Sequence, residues 1–207
     1  MSVIYEVETR FHFKSEEEVY QNLPVLKSAL DRKVQWETIH YGLEEFKKDI
    51  VIRVSHNQIN GKQISALGYK EEDKGEKINI RKEYGAEITT GITDSQILDL
   101  LGGEISLSTP EAVAAELKSL GHQPFMSFSG LSWLGTAEKL ELDFKLMHCD
   151  DLAYPLLVEV ESEAQTKAEI AEQKEKILNF IAQYDLEERI VTEEPPTLLY
   201  QEEFKQN

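Results

Sequence analysis

Polar and apolar residues alternate from the start of the chain. In the segment 4–13, Tyr5, Val7, Thr9, Phe11 and Phe13 fall on one side, and Glu6, Glu8 and Arg10 on the other. A period of two over this length predicts a strand across 3–14 with one charged and one apolar face. Ser15-Glu16-Glu17-Glu18 then reads as a capping box opening an amphipathic helix through Val19, Leu23, Leu26 and Leu30, which Pro24 should kink or restart. Further strands are predicted at 34–41, 50–54, 63–70 and 77–89, with hairpin turns at Asn60-Gly61 and Asp73-Lys74-Gly75, so antiparallel pairing is expected. A short helix at 93–101 is stopped by Gly102-Gly103, and Thr109-Pro110-Glu111 opens a second that ends at Gly121. Strands resume at 124–134, 138–147 and 155–162. A long helix over 163–184 follows, with Ile170, Ile177, Leu178 and Ile181 on its apolar side and a solvated Glu/Lys face opposite. Pro195-Pro196 should break the tail.

The charged strand faces change this picture from fold to chemistry. Besides Glu6 and Glu8, Asp143 lies on the polar side of the strand around 140–145, and Glu159 and Glu161 share a face opposite Leu156, Val158 and Val160. Packed side by side, three such strands would crowd carboxylates that repel unless a cation sits among them. Other strands are basic. Arg53 sits in the segment 50–54, Lys70 shares a face with Ala66 and Gly68, and Arg81 shares one with Lys77, Asn79 and Glu83. Strands closed with charged faces inward and apolar faces outward against helices would form a polar tunnel. The expected fold class is therefore α+β: a closed antiparallel β-barrel of about eight strands with helices outside.

Composition narrows the function. The 207 residues suit a single domain over 1–207, with the helix and tail from about 163 packed on the barrel. A net charge of −17 argues against a duplex nucleic-acid partner, while a local cation cluster still suits a small phosphate ligand. One cysteine, Cys149, excludes an internal disulfide framework and a cysteine-rich zinc site. With no apolar run near the roughly 18 residues of a membrane span and no leader pattern, a cytoplasmic protein without a membrane partner is expected; oligomeric state stays open. The five histidines are scattered, Trp36 and Trp133 read as packing residues, and Lys14, Lys139 and Lys145 read as surface cations.

Taken together, these residues resemble the CYTH superfamily, also called the triphosphate tunnel metalloenzymes, which includes inorganic, thiamine and RNA triphosphatases and class IV adenylyl cyclases. The family's Glu-x-Glu-x-Lys signature is met by Glu6, Glu8 and Arg10, with arginine in place of lysine. Its basic strands correspond to Ile50-Val51-Ile52-Arg53, to the strand ending at Lys70, and to Arg81-Lys82-Glu83; its C-terminal acidic strands correspond to Asp143 and to Glu159 and Glu161. The resemblance implies Mg²⁺ or Mn²⁺ held by Asp143, Glu159 and Glu161. It implies Glu6, Glu8 and Arg10 as catalytic residues, and Arg10, Arg53, Lys70, Arg81 and Glu83 in substrate binding. The implied reaction is metal-dependent phosphohydrolysis of a small triphosphate-bearing molecule, or of another organophosphate.

The segment 125–133, Phe-Met-Ser-Phe-Ser-Gly-Leu-Ser-Trp, departs from the family pattern, because it carries no charge where the family places Arg or Lys. A site short of cations stabilises a polyanion less. The alternative is thus a catalytically weakened triphosphate- or organophosphate-binding module on the same fold, with class IV cyclase chemistry a further variant.

Overall fold

The computed structural model describes residues 4–75, 77–88, 96–102 and 108–204. The first alternating segment forms β1 (Ile4–Phe13). The Ser15 hydroxyl accepts the Glu18 N–H and caps α1 (Glu16–Asn22). Pro24 ends that helix and a single turn, α2 (Leu26–Ala29), restarts it, so Leu30 opens β2 (Leu30–Tyr41) instead of closing a helix. After a turn, α3 (Leu43–Phe46), come β3 (Val51–Ile59), β4 (Lys62–Lys70) and β5 (Asn79–Glu87). Asn60 and Gly61, with φ of 51° and 77°, form the tight β3–β4 turn that their left-handed tolerance predicts. The predicted helix at 93–101 is α4 (Gln96–Leu101); residues 89–95 and Gly103 lie outside the described residues. Thr109 caps α5 (Pro110–Ser119).

Next are β6 (Pro124–Ala137), β7 (Leu142–His148), β8 (Leu156–Ala164) and α6 (Lys167–Tyr184). Residues 138–141, expected in a strand, make the β6–β7 turn, where Glu141 adopts φ 52°. α6 starts later than its amphipathic pattern suggests, because the Thr166 hydroxyl accepts the Glu169 N–H and so fixes the first turn. Two C-terminal elements were not expected: β9 (Ile190–Val191) and α7 (Pro195–Phe204). The proline pair begins α7, as suits residues with no N–H to donate at a helix start.

The strands join in one sheet, ordered β5-β4-β3-β2-β6-β7-β8-β1-β9, and β5 also pairs with β1. β1 to β8 thus form a closed antiparallel barrel with helices outside, an α+β fold. The described residues of Gln35–Asp73 and Arg81–Ser129 make one compact unit, and the remaining described residues make the other. No helix among the described residues is long and apolar enough to cross a membrane.

In the unit containing β1, β7 and β8, the apolar strand faces supply Val7, Phe11, Phe13, Phe144, Leu146, Val158 and Val160, all buried against Ile177, Phe180 and Ile181 of α6. Phe180 takes the place expected of Leu178, which is 45% exposed. In the unit containing β3, β4 and β5, Ile52, Val54, Leu67 and Tyr69 pack with Ile97 and Leu101 of α4 and Val113 and Leu117 of α5. In both units helices cover the apolar face of the strands, so the charged residues share the opposite face.

Phe180 has its ring centroid 5.3 Å from that of Phe144, 6.4 Å from Phe11 and 4.8 Å from Tyr184. Phe180→Ala should therefore lower the unfolding free energy by about 3–5 kcal/mol, as urea denaturation would measure. Cys149 is 1% exposed, and burial pushes its thiol above the ordinary range. A raised pKa leaves less thiolate at a given pH, so a disulfide reagent at mildly alkaline pH should modify Cys149 slowly in the native protein and rapidly once it is unfolded.

Candidate functional site

Strand register determines which charges meet. Across β7, β8 and β1, Asp143 pairs with Glu161 and Glu161 with Glu8; one step along, Lys145 pairs with Glu159 and Glu159 with Arg10. One row is three carboxylates, and the next alternates cation, anion and cation. Directly opposed strand residues have Cα atoms only about 4.5–5.5 Å apart, so the first row is repulsive and the second attractive. Glu6 adjoins the first row, and carboxylate oxygens of Glu6, Glu8 and Glu161 all lie within 4.8 Å of one another. Glu8 is fully buried; Glu6 and Glu161 are partly so. Three hard oxygen donors at this spacing suit a hard divalent cation.

Of the expected ligands Asp143, Glu159 and Glu161, Glu161 belongs to this group, and the other two stand beside it in register. Glu159 accepts from Arg10 Nε at 2.8 Å and from Lys145 Nζ at 3.3 Å. Asp143 accepts from the Thr136 hydroxyl and is exposed. Lys145, read from sequence as a surface cation, belongs to this charged face.

Arg10 is the hub of the second row. Its side chain is 1% exposed and donates through Nε to Glu159, through Nη1 to Asn79 Oδ1 at 2.9 Å, and through Nη2 to Glu8 and to Glu194 at 3.4 Å. Burial alone would lower the guanidinium pKa, but Glu8, Glu159, Glu194 and Glu6 together outweigh it and raise it well above the ordinary value. Glu194 was not among the sequence candidates. It lies in a short acidic stretch before the proline pair, and no periodicity marks it as facing the strands.

The other unit carries the expected basic residues. Arg53 Nη2 lies 2.8 Å from Glu83 Oε1, and Lys70 Nζ 3.6 Å from Glu83 Oε2. Gly68 is the register partner of Arg53, and a Cβ there would come within 3.1 Å of the arginine Nε, so the glycine makes room for the guanidinium to lie across β4. Arg81, 3% exposed, reaches Asp49 at 3.5 Å and Asp73 at 3.9 Å. Arg53, Lys70, Arg81 and Glu83 thus share the face opposite the apolar core.

β2 and β6 give this face a different character. Thr38 bonds Ser55, two residues along β3 from Arg53, at 2.7 Å and so lies on the same side. Trp36 and His40 flank Thr38 at two-residue spacing. Their rings meet Phe128 of β6, His40 stacked at 5.6 Å and Trp36 edge-on at 5.4 Å. An aromatic patch therefore stands in the uncharged 125–133 segment. Ser127 and Ser129 are exposed, and Ser132 is buried. A groove of about 610 Å³ beside His12, Lys14, His148 and Tyr154 includes none of the candidate carboxylates.

No protein-family model and no curated protein matches the sequence. Solved structures do match the fold. PH1819 from Pyrococcus horikoshii OT3 is 20% identical, with 95% of this chain and 99% of that one covered and a TM-score of 0.73. A candidate adenylate cyclase from Vibrio parahaemolyticus is 10% identical, with 94% and 97% covered and a TM-score of 0.65. HpAC1 from Hippeastrum, a candidate adenylyl cyclase with a dominant triphosphatase activity, is 12% identical, with 95% and 96% covered and a TM-score of 0.58. The chain has the CYTH fold.

Within that CYTH fold the Arg10 cluster is buried, with Arg10, Glu8, Glu159 and Glu194 each no more than 6% exposed. Removing its cation would strand carboxylates that are hardly solvated. Arg10→Leu should therefore destabilise the protein by about 3–5 kcal/mol, with Arg10→Lys recovering only part because lysine cannot donate in a fork; equilibrium unfolding in urea checks both.

Proposed function

We propose that this protein is a divalent-metal-dependent phosphohydrolase acting on a small molecule that carries a triphosphate, with inorganic triphosphate, a nucleotide and thiamine triphosphate as the candidate substrates. The observation that carries this reading is the gathering of Glu6, Glu8 and Glu161 oxygens within 4.8 Å on a sheet face that also bears the buried Arg10. Left alone such a set repels itself, and a hard divalent cation relieves the repulsion. When bound, Mg²⁺ or Mn²⁺ supplies charge neutralisation at phosphate oxygens and acidifies a coordinated water.

The chain's own residues then have separate tasks. Glu6, Glu8 and Glu161 hold the cation, and Glu159 with Lys145 and Arg10 keeps the adjoining row neutral enough to fold. Arg53, Lys70 and Arg81 take phosphate oxygens, and Glu83 holds Arg53 and Lys70 in reach until the anion arrives. Asp143, beside Glu161 in register, is an outer carboxylate that a hydrated cation can use through water.

The aromatic patch of Trp36, His40 and Phe128 favours a second reading, a binding module with the same anion site and little turnover. Fewer cations on that face mean weaker stabilisation of developing phosphate charge.

The two readings part on one assay. Phosphate release from inorganic triphosphate, ATP, GTP and thiamine triphosphate with Mg²⁺ or Mn²⁺ should be metal-dependent. It should fall by about 100-fold or more in Glu8→Gln/Glu161→Gln, since even partners outside the ligand shell are worth about 10–100-fold. Thermal stabilisation by metal and triphosphate without release would instead assign the binding module, and neither effect would overturn both.

A further inference from the structure

We infer that Glu194 is a positioning residue for the metal-binding carboxylates, acting through Arg10; the inference rests on the metal site proposed above. Arg10 Nη2 donates both to Glu8, a member of the candidate ligand set, and to Glu194, which is not one. Glu194 comes from outside the long strands. It follows β9 and directly precedes α7, and its main-chain oxygen accepts the Leu198 N–H, the first bond of that helix. Its side chain is 6% exposed, and one carboxylate oxygen reaches the guanidinium that also serves Glu8, Glu159 and Asn79.

Burying a third carboxylate on one arginine is unfavourable for stability alone. Its effect on Glu8 supplies a reason. With Glu159 and Glu8 as its only anionic partners, Arg10 would largely neutralise Glu8, and a paired carboxylate is a poorer ligand. A second carboxylate on the same Nη2 takes a share of the guanidinium's positive charge and leaves more of the charge of Glu8 for a cation. Glu194 is held for this task from two sides: β9 pairs with β1 at Arg10 itself, and Asn79 Nδ2 reaches the Thr192 carbonyl at 3.5 Å. The C-terminal segment thereby sets how strongly Arg10 grips a ligand on the first strand.

The test is calorimetric titration of the full-length, metal-free protein with Mn²⁺, comparing the parent with Glu194→Gln, Glu194→Asp and Leu198→Ala. Glu194→Gln keeps the shape and removes the charge, and should bind Mn²⁺ about 10-fold more weakly, the effect usual for an outer-shell partner. Glu194→Asp withdraws the carboxylate from Nη2 by one methylene and should also bind more weakly than the parent, which keeps the test decisive should the glutamine variant not fold. Leu198→Ala, which thins the packing of α7 without touching charge, should lower the melting temperature yet keep the parental Mn²⁺ affinity while folded. Parental affinity in a folded Glu194 variant would overturn the inference and leave the metal site standing, as would an equal loss in Leu198→Ala. Absence of Mn²⁺ binding by the parent would overturn the metal site and the inference with it.

Discussion

The two charged rows across β7, β8 and β1 depend on the register of β8 between its neighbours. Side chains in a strand repeat every two residues, so a slip of β8 by one position would turn Glu159 and Glu161 to the helix-covered side and bring Val158 and Val160 to the polar one. The register is therefore held by the apolar face, where those residues pack against α6, more than by the charges themselves. Hydrophobic burial favours the pairing strongly enough to place Glu8 opposite Glu161 and Glu161 opposite Asp143, a row that electrostatics alone would disperse.

The adjoining row limits the penalty. Arg10 and Lys145 both reach Glu159, so like charges along one row are followed two residues on by alternating charges. This offset makes the first row useful. Were every carboxylate paired with a buried cation, no negative charge would remain to bind a metal; were none paired, the strands would not tolerate being buried. Arg10 is suited to the middle position because its planar fork can serve four acceptors at once, which a lysine ammonium with three donors on a flexible stem cannot.

Much of this could be read in the sequence, for definite reasons. The alternation in β1 and β8, the caps Ser15 and Thr109, and the Asn60-Gly61 turn are local signals, and each element formed where its signal lay. Errors appear where the deciding partner is distant. Pro195-Pro196 looks like a break until the preceding strand and the burial of Leu198 and Leu199 give the helix after it a surface to pack on. The different partners of Glu159 and Glu161 were invisible because both belong to one Glu-x-Glu; only register shows that one faces Arg10 and Lys145 and the other faces Glu8 and Asp143. Glu194 and Asn79 converge on Arg10 from segments far apart in the chain, and no periodicity carries that information. The aromatic patch is a case between these. Its uncharged strand was plain in the sequence, but that Trp36 and His40 would meet Phe128 required the β2–β6 pairing.

That patch bears on how the proposed chemistry is shared among the residues. An Arg or Lys on β2 or β6 would add a fixed positive charge toward the phosphates; Trp36, His40 and Phe128 add polarizable surface and no formal charge when the imidazole is neutral. In the proposed reaction, a polyanion that meets fewer fixed cations depends more heavily on a metal for its neutralisation. In turn, the affinity of the metal depends on how much negative charge Glu8 keeps beside Arg10. On the proposed reading, a site poorer in basic residues gains most from a carboxylate set whose charge its own arginine does not cancel.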